Sequence, residues 1–447
     1  MSTRTVRIEK MVYGGAGVGV SIDDAGGRPV YVPFTLMGEE VSLAADSDAD
    51  EGVVDSILKS SVERVAPACQ HFGSCGGCQY QHADYSEQLR IKETILRTML
   101  ERNRVAAPET IAVHAGQPLE YRNRIRLRLQ KMPQGWRAGY SERSSNRFLA
   151  VNECPIAVPL LWRAAQALLA CSIPVQAREV ELFCDGEEHA LQMTLHLDAT
   201  IATMERESAA QFRTLCDQMA AQLSQLKGAG LAVLKDEVKR GTGDPAKVRR
   251  ESVEVAAWGE SALLCRLALN DRIYTHNIRR GSFFQVNRFL LSTLLQIVVA
   301  DRSGETAWDL FAGAGFFTQP LASCFNHVVA VEVAERASET LSAFAKAAGQ
   351  TAYRETALGF LRAETARHSA TPDLIVVDPP RAGLGEEVCR LLSLSEAKEI
   401  VYVSCDPETL SRDLRRLLES GYRLAELHLV DLFPQTYHLE TVAILHR

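Results

Sequence analysis

Asp309-Leu310-Phe311-Ala312-Gly313-Ala314-Gly315-Phe316 ends one apolar run and opens into a helical pattern. Two glycines in such a turn let the backbone come close to a ligand at a helix start. The next apolar run, 328–331, is followed by Glu332. From about residue 288 onward, helical patterns alternate with apolar runs at 306–311, 327–333, 374–378, 399–404 and 424–432. Strands that alternate with helices and read as continuous apolar runs predict a parallel sheet covered on both faces. The expected fold class is therefore α/β, a Rossmann-like doubly wound sheet.

Working outward, 447 residues suffice for two or three domains. No apolar run of membrane-spanning length occurs, and Met1-Ser2-Thr3-Arg4-Thr5 does not open a signal peptide, so a cytoplasmic protein without membrane association is expected. The net charge of −7 argues against nucleic acid only weakly, because a local basic stripe suffices for binding. Arg122, Arg124, Arg126 and Arg128 alternate with Asn123, Ile125, Leu127 and Leu129. That period predicts a strand with one arginine face, and four unpaired arginines would repel one another unless phosphates lie over them.

Residues 5–60 read as short strands with glycine-rich turns, which predicts a small barrel. A helix is expected over 85–102, strands dominate 119–200, a helix covers 206–226, and 241–245 is a loop. Eleven cysteines without a secretory signal argue against a disulfide framework. Cys69, Cys75 and Cys78 form a tight cluster, and Cys154 supplies a fourth thiol. Four thiolates suit either a [4Fe–4S] cluster or zinc. The other single cysteines sit in apolar runs, as packing residues do.

Three candidates carry chemistry. Asp378, in Asp378-Pro379-Pro380-Arg381, ends an apolar strand where such sheets bind ligands. Cys405 follows the apolar run 400–404 and precedes Asp406-Pro407, an N-cap and first-turn pair. A strand end meeting a helix start should stabilise a thiolate nucleophile. Glu440 precedes the apolar strand 441–445, where a carboxylate can gain a raised pKa and act as a base.

The glycine turn with Glu332 resembles the first motifs of class I S-adenosylmethionine methyltransferases more than a dinucleotide site, since Thr318 stands where a third glycine would be. Together with Phe284-Gln285-Val286-Asn287, the whole series resembles the RNA 5-methyluridine methyltransferases over nearly the entire chain. That resemblance implies S-adenosylmethionine as methyl donor, Cys405 as nucleophile and Glu440 as base. It implies cofactor-site roles for Gln285, Phe311, Phe316, Glu332, Thr356 and Asp378. It also implies a TRAM-like barrel of oligonucleotide-binding type at 1–62, a β-rich central domain at 63–270 and the methyltransferase domain at 271–447, with helix 85–102 packing on the last.

The cysteine spacing resembles the iron–sulfur branch of that family. Cys69, Cys75, Cys78 and Cys154 then hold a [4Fe–4S] cluster with a structural or RNA-docking role, in a monomer acting on ribosomal RNA. A transfer-RNA substrate, or an RNA-binding factor with vestigial methyl transfer, are the competing expectations. Two residues depart from the family pattern. Asp406 replaces a usual asparagine and should raise the thiol pKa, and Phe316 replaces a frequent asparagine, making its cofactor contact apolar or lost.

Overall fold

The computed structural model describes residues 4–22, 28–44, 50–198, 206–236, 250–367 and 371–447. The 241–245 segment expected as a loop lies outside them.

The apolar runs of the C-terminal part become one sheet, ordered Thr351–Tyr353, Phe325–Val331, Gly304–Leu310, Leu374–Val377, Glu399–Ser404, Glu440–His446, Arg423–Val430 and Ala112–His114. The first five strands are parallel, and Glu440–His446 runs against both its neighbours. The chain leaves Gly304–Leu310 toward one edge and returns to its other side at Leu374–Val377. Such a reversal opens a crevice beyond the strands' carboxyl ends. Leu374–Val377 is wholly buried, as a strand covered by helices must be.

One covering helix, Pro407–Glu419, shows the local logic. Asp406 accepts hydrogen bonds from Glu408 N and Thr409 N, and Pro407 fills the first turn. Leu410, Leu414 and Leu417 recur on one buried face while Arg412, Arg415 and Arg416 face outward. Burying each leucine stabilises the helix by roughly 1.5–3 kcal/mol.

The central part is a mostly antiparallel sheet ordered Arg250–Gly259, Leu226–Asp236, Leu191–Leu197, Ala177–Cys184, Arg124–Met132, Gly135–Ser141 and Phe148–Ala150. Helix Pro159–Leu169 packs on it, inside a stretch expected to hold strands. Its signal was present: proline at the start, then Leu160, Leu161, Ala164, Ala165 and Leu168 on one buried stripe. The ribbon Ala262–Leu269 with Arg272–Arg279 was also not anticipated, although Leu263, Cys265, Leu267 and Leu269 alternate inward. Asn270, with a positive φ of 51°, makes its tight turn.

The N-terminal strands pair antiparallel in the order Val30–Pro33, Ala16–Ser21, Arg4–Met11, Glu40–Leu43 and Val54–Lys59. The sheet curls until Tyr31 N donates to Asp50 O at 2.9 Å and Gly52 N donates to Tyr31 O at 2.8 Å. It is a half-barrel closed by these contacts. No helix among the described residues is long and apolar enough to cross a membrane.

Helix Tyr85–Arg102 spans the expected interval and packs on the C-terminal part. Lys92, fully buried, gives Nζ to Asp431 Oδ1 at 2.5 Å and to Phe433 O at 3.0 Å. Breaking one partner of a buried pair costs about 3–5 kcal/mol because the other charge is left unpaired. Lys92→Met is expected to lower the melting temperature measured by calorimetry, and Lys92→Met with Asp431→Leu to recover most of it. Equal melting of single and double variants contradicts the coupling.

Candidate active site

Ser404 stands opposite Thr441 where Glu399–Ser404 runs against Glu440–His446. One step further, the same register brings Cys405 beside Glu440. Thr441 Oγ1 donates to Ser404 O at 3.1 Å and fastens the two strand ends together. The adjacent strand ends at Asp378, whose N–H donates to Leu310 O at 3.4 Å. The glycine turn and the Asp378 loop therefore border one crevice.

Burial first, then the Glu440 and Asp378 carboxyls, push the Cys405 thiol up to about 11, and Arg381 opposes them. Burial, then Asp378, raises Glu440 well above the carboxylate range, again against Arg381. Asp378 is raised to about 7 by burial and by Asp309. Asp309 is itself raised to about 7, by burial above all, with the Thr318 hydrogen bond opposing and Glu332 adding. Among the described residues, Asp309 Oδ1 is buried without a hydrogen-bond partner. Acidic groups thus outnumber the one arginine here, and a positively charged ligand would relieve every one of them.

The helix start was expected to hold Cys405 as a thiolate, and the structure corrects this. Asp406 Oδ1 takes the first-turn donors, Glu408 N at 3.1 Å and Thr409 N at 3.0 Å. Those N–H groups are spent on the cap, so burial and the carboxyls decide the thiol's pKa. Asp406 raises it as expected, but is the last of the causes. Its second oxygen, Oδ2, accepts from Tyr13 OH at 3.3 Å.

In the glycine turn Phe311 adopts a φ of +66°, a left-handed conformation that strains an aromatic residue. Gly315, at φ +88°, could not carry a Cβ without crowding Leu341 at 3.2 Å. Glu332 binds the turn through Gly313 N at 2.9 Å and its own loop through Ala334 N at 2.6 Å. Each carboxylate oxygen retains a lone pair for ligand hydroxyls. Thr318 donates its hydroxyl to Asp309, which a third glycine could not do.

The remaining expected residues fall in two places. Gln285 is nearly buried in a segment held at Val286 O by Asn123 N and at Asn287 by Leu432 O. Phe316 turns into the core, edge-on to Phe284 at 5.7 Å and beside His276 at 5.9 Å. It props the Gln285 segment from behind. Thr356 is exposed at the start of Ala357–Arg367, where its hydroxyl accepts from Gly359 N at 3.0 Å.

Sequence reasoning gave no role to Arg381, His438, Tyr437 or Tyr13. Arg381 donates to His438 Nδ1 at 3.1 Å. Burial and Arg381 lower that imidazole to about 4, so it is neutral and can accept. Tyr13 meets Tyr437 edge-on at 5.3 Å, and Tyr437 lies 4.2 Å from His438. Arg381 stood inside a motif already quoted; Tyr13 lies nearly 400 residues from its partner Asp406 and had no local signal.

The arginine strand alternates as expected, with Asn123, Ile125, Leu127 and Leu129 buried. One of its arginines is paired with a carboxylate, and the other three donate to backbone carbonyls. Arg126 pairs with Glu179 at 2.5 Å, Arg124 donates to Ser282 O at 2.6 Å over the Phe183 ring, and Arg128 donates to Asn146 O at 2.7 Å. Arg122 donates to Arg124 O at 3.0 Å.

Cys69, Cys75, Cys78 and Cys154 converge from two distant segments. Burial, with the other three thiols adding, pushes Cys78 up to about 12. Burial also raises Cys154, which hydrogen-bonds Tyr140. Among the described residues no three His, Cys, Asp or Glu side chains are drawn together tightly enough to form a metal-holding group.

The chain is similar to known proteins over nearly its whole length. The 23S rRNA (uracil(1939)-C(5))-methyltransferase RlmD of Chromohalobacter salexigens is 31% identical over 98% of this chain and 88% of its own. RlmD of Yersinia enterocolitica is 30% identical over 94% of this chain and 90% of its own. A solved Pyrococcus abyssi tRNA (uracil-54, C5)-methyltransferase, in complex with S-adenosyl-L-homocysteine, superposes with a TM-score of 0.69. At 23% identity over 98% of this chain and 99% of that one, it shares the fold. The family model described as tRNA (Uracil-5-)-methyltransferase matches residues 84–447, and the chain belongs to that family.

Proposed function

We propose that the protein methylates C5 of a uridine in ribosomal RNA, with S-adenosylmethionine as methyl donor, Cys405 as nucleophile and Glu440 as base. The observation that carries this reading is the pairing of Ser404 with Thr441, which sets a thiol beside a buried carboxyl at adjoining strand ends. The RlmD relatives favour ribosomal RNA. The solved Pyrococcus abyssi protein is a tRNA (uracil-54, C5)-methyltransferase, which makes a transfer-RNA uridine the second reading.

Uracil C5 is a weak nucleophile. Addition of Cys405 Sγ to C6 breaks the C5=C6 double bond and moves its electrons toward C5 and O4. The donor supplies an electrophilic methyl on a cationic sulfonium, and its charge fits a crevice lined by Asp309, Glu332, Asp378 and Glu440. Once C5 carries the methyl group, Glu440 removes the C5 proton. The electron pair re-forms C5=C6 and expels Cys405. A carboxyl with a raised pKa suits that proton transfer. Arg381 favours the anionic forms of Cys405 and Glu440 while they are needed. The target base must leave its stack to reach the crevice.

Cys69, Cys75, Cys78 and Cys154 would hold a [4Fe–4S] cluster. Cys69, Cys75 and Cys154 each raise the proton affinity of Cys78, so the four thiols share one neighbourhood and are the donor set of such a group or of zinc, which would draw them closer. The cluster would tie Cys154 to the 69–78 loop and hold that loop against the catalytic segment through Gln79 N and Tyr80 N, which donate to Gln435 O at 3.0 Å.

Three outcomes test this reading. RNA containing 5-fluorouridine is expected to form a denaturant-stable complex with the wild-type protein and methyl donor, and none with Cys405→Ala; trapping by the alanine variant excludes the thiol mechanism. Asp406→Asn removes a group that raises the thiol's pKa. The acidic limb of the kcat/KM–pH profile should therefore move to lower pH, by less than removal of a nearer carboxylate would give; an unmoved limb denies Asp406 any influence. Protein purified without air should be brown with broad visible absorption and lose it in Cys78→Ser, whereas a colourless protein containing zinc refutes the iron cluster.

A further inference from the structure

A second concavity lies between the N-terminal half-barrel, the cysteine-bearing loop and the central sheet, with a volume of about 210 Å³. By liquid volume that is room for about seven waters, and hence for one heteroaromatic ring system. Its walls include Tyr31, Phe34, Gln79 and Arg143, with Gly14 and Gly15 at its edge. Tyr31 is half exposed although it sits in a strand. Phe34 holds a φ of +61°, unfavourable for an aromatic residue, and stands edge-on to Phe72 at 5.0 Å. The Arg143 guanidinium lies 5.0 Å above the Phe34 ring and pairs with Glu51 at 2.9 Å. Gly14, at φ +105°, faces open space where a side chain would intrude.

One wall of the concavity is bonded to the catalytic segment. Gln79 in its wall donates its N–H to Gln435 O at 3.0 Å, and its Oε1 accepts from Tyr437 N at 3.4 Å. Tyr13, next to Gly14, reaches Asp406. An RNA strand whose target base enters the crevice beside Cys405 therefore has this concavity within the span of its flanking nucleotides. Aromatic faces, a planar guanidinium and an amide are the groups that hold an unstacked base.

We propose that this concavity is a subsite for one unpaired nucleobase flanking the target uridine, held chiefly by stacking on Tyr31 with Arg143 and Gln79 at its edge. It rests on the RNA substrate argued above. Its effect falls on RNA binding and placement, and not on the bond-forming groups.

The test uses the full-length protein and an RNA fragment containing the uridine that the wild-type protein methylates. Each flanking nucleotide is replaced in turn by an abasic one, and KM and kcat are measured for the wild type, Tyr31→Ala and Arg143→Gln. One abasic position is expected to raise the wild-type KM about tenfold, in line with the loss of one base–aromatic stack. Tyr31→Ala should raise KM similarly on intact RNA and lose sensitivity to that same position. Tyr31→Phe keeps the ring and should behave as wild type, which separates stacking from damage to the half-barrel. If abasic and Tyr31→Ala effects multiply at every position, the subsite is refuted while methyl transfer stands. If wild-type protein methylates no uridine in ribosomal or transfer RNA, the underlying reading falls first.

Discussion

A carboxyl kept buried beside a thiol stays there only if the chain carrying it is held on all sides. Residues 431–439, which lead into Glu440, are held in this way by segments from far earlier in the chain. Lys92 bonds Asp431 and Phe433 O, Gln88 exchanges two hydrogen bonds with Gln435, and Tyr121 OH donates to Pro434 O. Gln79, Tyr80 and Asn287 add backbone and side-chain contacts. The helix Tyr85–Arg102, the start of the arginine strand and the cysteine loop all converge on this one segment. Desolvation makes each such bond costly to break, because a buried donor or acceptor left alone forfeits its hydration.

The crevice is electrostatically unbalanced. Asp309 raises the proton affinity of Asp378, Asp378 that of Glu440 and Cys405, and Glu440 that of Cys405; Arg381 opposes the last two, and Thr318 opposes the rise at Asp309. A bound cation favours the anionic form of each such group. Asp406 fits the same logic from outside: it caps the helix, shields the first-turn donors from the thiol and takes a hydrogen bond from Tyr13. The half-barrel thus reaches the residue next to the proposed nucleophile. The proposed base subsite and the proposed nucleophile are therefore linked through neighbouring side chains.

Much of this was legible in the chain itself. Four of the five parallel strands followed from apolar runs too continuous for a half-exposed sheet, while three-residue Thr351–Tyr353 was missed and the expected run at 424–432 pairs antiparallel with Glu440–His446; the ends of Glu399–Ser404 and Tyr85–Arg102 matched the expected limits. Helix Pro159–Leu169 and the 262–279 ribbon were missed where local patterns were short and β-rich surroundings suggested otherwise. Phe316 was expected at the donor by family resemblance, with an apolar or lost contact. Its ring packs in the core with Phe284 and His276, a choice made by volume, which a motif does not encode. The arginine face was read correctly as a face, but the carboxylate that pairs Arg126, Glu179, comes from a strand more than 50 residues away.

By itself the sequence determined the strand and helix periods, the glycine turn, the thiol at a strand end and the close-set Cys69, Cys75 and Cys78, because each of these is a matter of local backbone sterics and spacing. Tertiary structure alone decided which groups share an environment. It set Glu440 against Cys405, brought Tyr13 to Asp406, spent the helix donors on the cap and so raised a thiol pKa that local reading expected to fall. Proton affinity and stacking depend on distance through space and on excluded water, and neither is written in the order of residues along the chain.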